Sequence, residues 1–417
     1  MQYINQSLVS EIRQKFCNVN TCPISGDRIF FENAGGALTL KSALETTTKF
    51  ASIPDNQGRD NVASQALNDV IKNAKSDLSA LFNTQSGEFF MGESGTELLF
   101  RLIRNAVLAS PSGGSIVGTS LEHPASRSAA KKWSNEMEYT YLSVPHCVKT
   151  GTVDPKNYAS KISDTTRVVT IVHASPVTGM GTKIKEISKI VRQKAPLAFI
   201  IVDGIQHAAH GGIDIESYDI DGYVISPYKM FSRHGFGIAW VSDRLRNAPH
   251  EKLDGGPSDN WELGTRDTGA YATMSDVKEY MCWLGKEFTK NNDSREQIKA
   301  AGAAIQDYER KMTDTLLHGL DNLKGLADFE DVEIIGGLNN SSREGLVSFR
   351  IKDYPSEKIV RYLNHQGIRT HTRKCDHYSE NILKPLGWDD CVRVSICHYN
   401  TFSEIKKFLS CLAAFRD

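Results

Sequence analysis

Two residues of opposite charge each follow a short apolar run in the middle of the chain. Residues 198–202 read AFIIV and end at Asp203, and residues 223–225 read YVI and end at Ser226, with Lys229 three residues later. Short runs of this kind are typical of buried strands in an α/β sheet, where ligands bind at the carboxyl ends of the strands. We therefore expect Asp203 and Lys229 to face one crevice.

An acid and a lysine in one crevice are the two protein groups that pyridoxal 5′-phosphate (PLP) most needs. The lysine amine condenses with the cofactor aldehyde, and the carboxylate keeps the pyridine nitrogen protonated so that the ring withdraws electrons. A lysine desolvated beside a cofactor also has a lowered pKa and becomes nucleophilic. Gln206, three residues after Asp203, is near enough to hydrogen-bond the ring oxygen. The pattern predicts PLP as the cofactor, with Lys229 and Asp203 as catalytic residues.

Two further segments could complete such a site. The turn at 94–97, SGTE, precedes a helical pattern, so the free amides of Gly95 and Thr96 and the helix dipole would hold a phosphate. The same residues also make a good helix cap, which is the simpler interpretation of the turn alone. His123 follows an apolar run, where its imidazole could stack on the pyridine ring and relay protons. The alternative is a histidine that lies on the surface or that has its hydrogen bonds made by neighbouring residues, without a role in a site.

Composition excludes several other classes of function. Of the 417 residues 40% are hydrophobic and 24% charged, and the net charge of −1 gives no electrostatic footprint for nucleic acid or an anionic membrane. We expect a small-molecule substrate and a cytoplasmic location, since no apolar signal segment occurs. The eight scattered cysteines favour free thiols, and the spacing of Cys391, Cys397 and His398 fits no usual zinc pattern, so we expect no metal.

The order of helical and strand-like patterns predicts an α/β fold with two domains. Helical segments alternate with apolar runs up to about Pro257, which is typical of a mostly parallel sheet covered by helices on both faces. Beyond that point the alternation is less regular. We predict a large cofactor-binding domain over residues 25–270, with a seven-stranded type of sheet. A smaller α+β domain should comprise residues 271–417 together with the N-terminal residues 1–24.

Seven short motifs follow one another along the chain in a specific order. They are FENAGG at 31–36, SGTE at 94–97, EH at 122–123, VDGIQ at 202–206, SPYK at 226–229, ELGT at 262–265 and VRVS at 392–395. On these motifs the chain resembles, from about Phe30 to its end, the class V aminotransferases, fold-type I PLP enzymes that include the cysteine desulfurases. It is most similar to a cysteine desulfurase-like branch that has a tyrosine before the Schiff-base lysine, as Tyr228 here, and HYNT as at 398–401.

The resemblance implies a homodimer with the active site at its interface, and it implies roles for individual residues. Asn33, Ala34 and Gly35 would line the substrate pocket, and Arg393 would clamp the substrate carboxylate. Thr265 would reach the phosphate across the interface. Where the family has an asparagine this chain has Pro176, so the contact of that asparagine is either lost or supplied by Thr178. The cofactor-binding residues implied together are Gly95, Thr96, His123, Asp203, Gln206, Ser226, Tyr228, Lys229 and Thr265.

The loop before the last motif bears on the reaction. Desulfurases carry a nucleophilic cysteine there, but Tyr378 aligns with it, and Cys375, a possible nucleophile in a basic setting, lies three residues earlier. We therefore predict a PLP-dependent lyase that cleaves the C–S bond of cysteine or an S-substituted cysteine by Cα deprotonation and β-elimination. A cysteine desulfurase with a Cys375 persulfide, an aminotransferase and an epimerase remain alternatives. A binding protein without turnover would be expected to lack Lys229 or Asp203.

Overall fold

The structure, a computed structural model, describes residues 3–339 and 341–416. Its helices are α1 (Gln6–Lys15), α2 (Lys41–Ala51), α3 (Val62–Phe82), α4 (Gly95–Leu108), α5 (Pro124–Glu136), α6 (Pro155–Ala159), α7 (Ile184–Lys194), α8 (Asp243–Arg246), α9 (Thr268–Lys286), α10 (Ser294–His318), α11 (Ser356–His365), α12 (Glu380–Leu386) and α13 (Phe402–Arg416). Among the described helices, none combines the length and the apolar character that a bilayer crossing requires.

The strands form two larger sheets and two small pairs. They are β1 (Thr21–Cys22), β2 (Gly26–Asp27), β3 (Ile29–Phe30), β4 (Glu88–Gly92), β5 (Ser115–Thr119), β6 (Thr140–Val144), β7 (Thr166–Val172), β8 (Phe199–Asp203), β9 (Gly222–Ile225), β10 (Gly237–Val241), β11 (Val332–Ile334), β12 (Leu346–Ile351), β13 (Ile368–Arg369), β14 (His371–Lys374) and β15 (Asp390–Ser395).

The larger sheet has seven strands in the order β4-β10-β9-β8-β7-β5-β6. The five strands from β9 to β6 run parallel, and β10 is antiparallel to both of its neighbours. Successive residues of β8 enter different hydrophobic cores: Ile200 and Val202 pack on one face of the sheet, and Ile201 packs on the other. Strands covered on both faces are apolar throughout, as the sequence shows. The predicted α/β fold with a mostly parallel seven-stranded sheet is confirmed.

A second, antiparallel sheet, in the order β11-β12-β15-β14, lies in the C-terminal part of the chain. Val392 and Val394 of β15 enter the hydrophobic core, and Arg393 between them points from the opposite face. The parallel pair β3–β13 joins the N-terminal segment to this part. The domain boundary near residue 270 stays a prediction, and α9, which follows it, packs against α2 and α3 as well as α10.

The fold brings the ends of several strands to one edge of the large sheet. Strands β5, β8 and β9 run in the same direction, so the residues that follow them emerge at the same edge. Asp203 ends β8, Ser226 follows β9, and His123 lies four residues beyond β5. The site therefore depends on the parallel arrangement that the apolar runs predict.

Candidate active site

Asp203 is almost completely enclosed at the end of β8, with 3% of its surface exposed. Its Oδ1 accepts a hydrogen bond of 3.1 Å from the Ile205 amide. Burial raises the pKa of Asp203 to about 6, although that hydrogen bond and the Lys229 charge favour the ionised form. A carboxylate that is desolvated at the end of a strand is poised to accept a proton-bearing partner such as a pyridinium nitrogen.

Lys229 lies in a short 3₁₀ turn, Pro227–Lys229, directly after β9. Its Nζ donates to Gln206 Oε1 at 3.3 Å, and its backbone amide donates to the Ser226 carbonyl at 2.9 Å. Burial, together with the positive charges of Arg393 and Arg373, lowers the pKa of the Lys229 amine to about 7, although the Asp203 charge opposes them. A large fraction of this amine is therefore neutral near pH 7 and can act as a nucleophile or base.

The turn before α4 packs closely against the residue that follows β9. Ser94 is the N-cap of α4, and its hydroxyl accepts from the Glu97 amide at 3.1 Å, so the capping interpretation is confirmed. The amides of Gly95 and Thr96 belong to the first turn of the helix, where no intrahelical acceptor exists. A Cβ on Gly95 would lie 2.4 Å from Ser226 Oγ and 2.6 Å from Ile205 Cδ1. The structure thus brings Gly95 and Ser226 together beside a helix N-terminus.

We expect Gly95→Ala to weaken PLP binding by about 10-fold, the loss of roughly one hydrogen bond. The added methyl group would force the Ser226 hydroxyl and Ile205 to move. The measurement is a titration of the cofactor-free protein with PLP, followed by absorbance. Gly212→Ala is the matched control, because a Cβ there meets no atom within 4 Å. Equal PLP affinity in Gly95→Ala and wild type would contradict a phosphate site at this turn.

His123 is half-buried at the start of α5, and its ring is held in one tautomer. Its Nδ1 accepts from the Ala125 amide at 3.2 Å, which places the ring proton of the neutral form on Nε2. Burial lowers the pKa of His123 to about 3, and the charges of Lys229, Arg373 and Arg127 act in the same direction. A neutral imidazole near Lys229 suits stacking on an aromatic cofactor better than donation of a proton from an imidazolium.

Arg393 is 3% exposed on β15. Its guanidinium donates to the Pro176 carbonyl at 3.0 Å, and burial lowers its pKa to about 9. The Thr178 hydroxyl donates to the Gly151 carbonyl at 3.2 Å and accepts from the Met180 amide at 3.2 Å. Thr178 is thus held both by its own turn and by the distant Gly151, and a contact of Thr178 in place of the family's asparagine stays a prediction. Pro176 contributes its carbonyl to Arg393.

The 33–36 segment packs against β15 and against Tyr228. Asn33 is buried, and its amide nitrogen donates to the Ser395 carbonyl at 2.8 Å while its oxygen accepts from the Tyr399 hydroxyl. The Ala34 amide donates to Ser395 Oγ at 2.9 Å, and a Cβ on Gly36 would lie 3.2 Å from the Tyr228 ring. Asn33 therefore holds the segment in place with both ends of its amide. Substrate contacts by Asn33, Ala34 and Gly35 stay a prediction.

Thr265 lies on an exposed segment that contacts its own chain beside the α4 turn. Glu262 Oε1 accepts from the Met91 amide at 3.1 Å, and Arg266 pairs with Glu93. These two contacts flank Thr265, whose own side chain is exposed. The segment thus reaches the α4 turn within one chain. The predicted contact of Thr265 with a phosphate across a dimer interface stays a prediction.

Behind Lys229, buried polar side chains connect the site to α10. Gln206 Nε2 lies 3.3 Å from His210 Nε2, and His210 Nδ1 lies 2.8 Å from Glu309 Oε2. Burial lowers the pKa of His210, but the Glu309 carboxylate outweighs it, and the net shift is upward. This chain of contacts orients the Gln206 amide, which in turn holds the Lys229 amine. His210 follows Gln206 by four residues, whereas Glu309 comes from α10, far away in the sequence, and neither residue belongs to one of the seven motifs.

Glu309 also lies close to Cys397 and His398. One ligand atom from each of the three buried residues falls within 4.8 Å of the other two. Glu309 already pairs with His210, and His398 Nε2 lies 2.5 Å from the Tyr280 hydroxyl. The expectation that the chain holds no metal stays a prediction.

Comparison with known proteins agrees with this geometry. The family model described as Aminotransferase class-V matches residues 29–408, which is most of the chain. The chain belongs to the class V aminotransferase family. Members of this family are PLP-dependent enzymes, and the seven-motif resemblance is confirmed.

Similar proteins of the family include two curated relatives that each match more than two thirds of the chain. The cysteine desulfurase-like protein ustD of Aspergillus flavus is 27% identical over 93% of this chain and 87% of its own length. A cysteine desulfurase of Haloferax volcanii is 26% identical over 73% of this chain and 68% of its own length. The apo structure of a cysteine desulfurase from Thermococcus onnurineus has the same fold, with a TM-score of 0.81, 19% identity, and coverage of 100% of this chain and 98% of that one.

Within this class V aminotransferase chain, the loop after β14 places a tyrosine near the site. The Tyr378 ring centroid lies 5.9 Å from that of His123, and Arg373 Cζ lies 5.7 Å from the Tyr378 ring. Cys375 is half-buried and packs against the hydrophobic core, with its amide bonded to the Asp389 carbonyl at 2.7 Å. The loop thus brings Tyr378 and Arg373 toward His123. Sequence reasoning missed Arg373, whose charge acts on both His123 and Lys229.

Proposed function

We propose that this protein is a PLP-dependent C–S lyase that acts on cysteine or an S-substituted cysteine. The observation that carries the proposal is the pairing at one sheet edge of Lys229, whose amine has a lowered pKa, with the buried carboxylate of Asp203. Membership of the class V aminotransferase family supports the cofactor, and relatives that are named cysteine desulfurases or desulfurase-like support a sulfur amino acid as the substrate.

The residues present fit PLP. Gly95 and Thr96 offer free amides to a phosphate, and the close approach of Gly95 to Ser226 leaves no room for a side chain in the turn. Asp203 would pair with the pyridine nitrogen, His123 would stack on the ring, and Lys229 would bind the aldehyde carbon. Gln206 already holds Lys229 and would reach the ring oxygen, while Tyr228 and Thr265 would complete the surroundings. When it is bound, PLP supplies the electron sink that stabilises negative charge at Cα.

The chain's own residues would then position the substrate and move its protons. Arg393 would hold the α-carboxylate, because it is a buried guanidinium beside Lys229 and no acidic side chain in the described residues pairs with it. The neutral Lys229 amine would remove the Cα proton of the bound amino acid. Asp203 would stay paired with the protonated pyridine nitrogen throughout. Its raised pKa indicates a site that disfavours a carboxylate without a positively charged partner.

Elimination then requires only that the sulfur substituent leaves Cβ with its bonding electrons. The thiolate takes up a proton and departs as a thiol, and the 2-aminoacrylate that remains is hydrolysed by one water to pyruvate and ammonia. No protein nucleophile forms a bond to sulfur in this route. The position of Tyr378 near His123, with Cys375 packed against the core, favours this route over transfer of sulfur to a cysteine.

The test is product analysis with the PLP-loaded protein and with L-cysteine or S-methyl-L-cysteine. Pyruvate, ammonia and sulfide or methanethiol in equal amounts are expected. The second candidate function is desulfuration, which the names of several relatives favour, and it would yield alanine and a protein persulfide. A shift of the cofactor spectrum without any of these products would contradict both and indicate aminotransferase or epimerase chemistry.

We expect Cys375→Ser to keep lyase activity within about twofold of wild type, because elimination forms no bond to a cysteine. The measurement is the rate of pyruvate release from S-methyl-L-cysteine. Cys147→Ser is the control for loss of an exposed thiol elsewhere. A loss of about 100-fold or more in Cys375→Ser alone would contradict elimination and favour persulfide transfer.

We further propose that the protein is a homodimer and is located in the cytoplasm. Each chain would comprise the two domains predicted from the sequence. The exposed side chain of Thr265 is consistent with a contact to a second subunit. Sedimentation of the purified holoenzyme at micromolar concentration should give twice the mass of one chain. A single-chain mass together with full activity would contradict a site that depends on the interface.

A further inference from the structure

Two arginines on neighbouring strands of the smaller sheet point toward the proposed reaction centre. In the pairing of β14 with β15, His371 lies opposite Arg393 and Arg373 lies opposite Cys391. Residues two apart on a strand share a face, so the Arg373 and Arg393 side chains leave the same face of the sheet. Arg373 lowers the pKa of Arg393, and both arginines lower the pKa of Lys229. Both guanidiniums therefore lie within electrostatic range of the amine that would meet the substrate.

Neither arginine forms an ion pair within the described part of the chain. Among the described residues no carboxylate lies within the 4.0 Å of an ion pair from either guanidinium, in contrast to Arg192 and Arg244, which both pair with Asp221. Arg393 donates to a carbonyl, and its Nε is buried without any partner in the described chain.

The partner of Arg373 is likewise neutral, the Ser379 hydroxyl at 2.9 Å. Glu32 is the acid whose charge acts on Arg393, and it lies 3.2 Å from His371. Asp376 is the acid whose charge acts on Arg373, also from beyond ion-pair distance. Two adjacent guanidiniums with no carboxylate in direct contact are unfavourable in a buried position unless anions join them. A single carboxylate on Arg393 would leave Arg373 unpaired.

We propose that the substrate carries a second acidic group on its side chain and that Arg373 binds this group while Arg393 binds the α-carboxylate. The inference rests on the proposed function and specifies its substrate class: a short L-amino acid with a carboxylate or a sulfur oxyacid at or beyond Cβ. Arg373 is suited to this role because its guanidinium can form two parallel hydrogen bonds to such a group. It lies on the strand that leads into the loop bearing Tyr378.

The experiment compares pairs of ligands that differ in charge but hardly in shape. One pair is S-carboxymethyl-L-cysteine and S-carbamoylmethyl-L-cysteine, and the other is L-aspartate and L-asparagine. Each is titrated into the PLP-loaded protein, and the change of the cofactor absorbance gives an apparent dissociation constant that does not depend on turnover. We expect the acidic member of at least one pair to bind about 10-fold or more tightly. Equal binding within both pairs would overturn the inference.

Variants assign the preference to a residue. Arg373→Gln should abolish the difference within the pair and leave the binding of the amide member unchanged. Arg373→Lys should keep part of the difference in affinity, because the positive charge remains but the two parallel guanidinium donors are lost. Lys374→Gln is the matched control, because Lys374 is the next residue, carries the same charge and is exposed on the other face of β14. Loss of the preference in Lys374→Gln as well would indicate a diffuse charge effect and contradict a specific contact.

The outcomes separate this inference from the proposed reaction. Tight binding of S-carboxymethyl-L-cysteine without release of pyruvate and thioglycolate would contradict the proposed lyase reaction but support the acidic substrate class. Equal release of pyruvate from both members of the pair would establish the lyase and overturn the role of Arg373. A weaker affinity for PLP itself in Arg373→Gln would show that the anion bound by Arg373 is the cofactor phosphate, which also overturns the inference.

Discussion

Lys229→Ala should lower the rate of pyruvate release by at least about 10³-fold, because in the proposed mechanism one amine serves both as the attachment point of the cofactor and as the base at Cα. The variant should still fold, since Lys229 makes one side-chain hydrogen bond, to Gln206, and its burial as a cation is unfavourable. The measurement is the rate with S-methyl-L-cysteine at saturating PLP, together with the thermal midpoint. Lys185→Ala, an exposed lysine on α7, is the control.

The pH dependence of cofactor attachment gives a second check on the same residue. The neutral amine is the reactive form, and burial holds the pKa of Lys229 at about 7 in the cofactor-free protein. The rate of covalent attachment should therefore rise as the pH increases through about 7 and level off above it. A rate that continues to rise toward the ordinary lysine pKa, or substantial turnover by Lys229→Ala, would contradict the assignment.

Asp203→Asn should lower the turnover rate by about 10²-fold or more, because an amide cannot keep the pyridine nitrogen protonated. It should not destabilise the cofactor-free protein. Burial raises the pKa of Asp203 to about 6, so the stability contributed by its neutral form is present at low pH. That contribution is lost as the pH rises from the unfolded pKa of about 4 through the folded value. At neutral pH the asparagine avoids this cost.

The combined readout distinguishes a catalytic role from a structural one. A fall in turnover with an equal or higher thermal midpoint is expected for Asp203→Asn, with Asp164→Asn, an exposed acid, as the control. Loss of both activity and stability would indicate that Asp203 supports the fold instead. Unchanged turnover would remove Asp203 from the cofactor site.

The large sheet could be predicted from the sequence because its central strands are apolar on both faces. The runs that end at Asp203 and Ser226 correspond to β8 and β9. The two edge strands of this sheet, β4 and β6, were not predicted from the sequence. Strand β6 is partly exposed at the sheet edge, so it lacks a continuous apolar run, and β4 continues directly into the turn before α4. An edge strand is specified by its neighbours more than by its own sequence.

Residues of the candidate site could be predicted from the sequence only where they follow strands or form motifs. Asp203, Lys229 and His123 each come just after an apolar run, so the sheet edge gathers them. Arg373 was missed because its place depends on the pairing of β14 with β15, a long-range contact that single-sequence patterns do not reveal. Glu309 was missed for a similar reason, since α10 reaches the site from a distant part of the chain.

The most direct test of the account is to identify the residue that carries the cofactor. The purified protein, loaded with PLP, is reduced with borohydride, digested and analysed by mass spectrometry. The account predicts one stable phosphopyridoxyl group per chain, located on Lys229, and none in Lys229→Ala treated in the same way. A group on another lysine, or no stable attachment in the wild-type protein, would contradict the proposed active site.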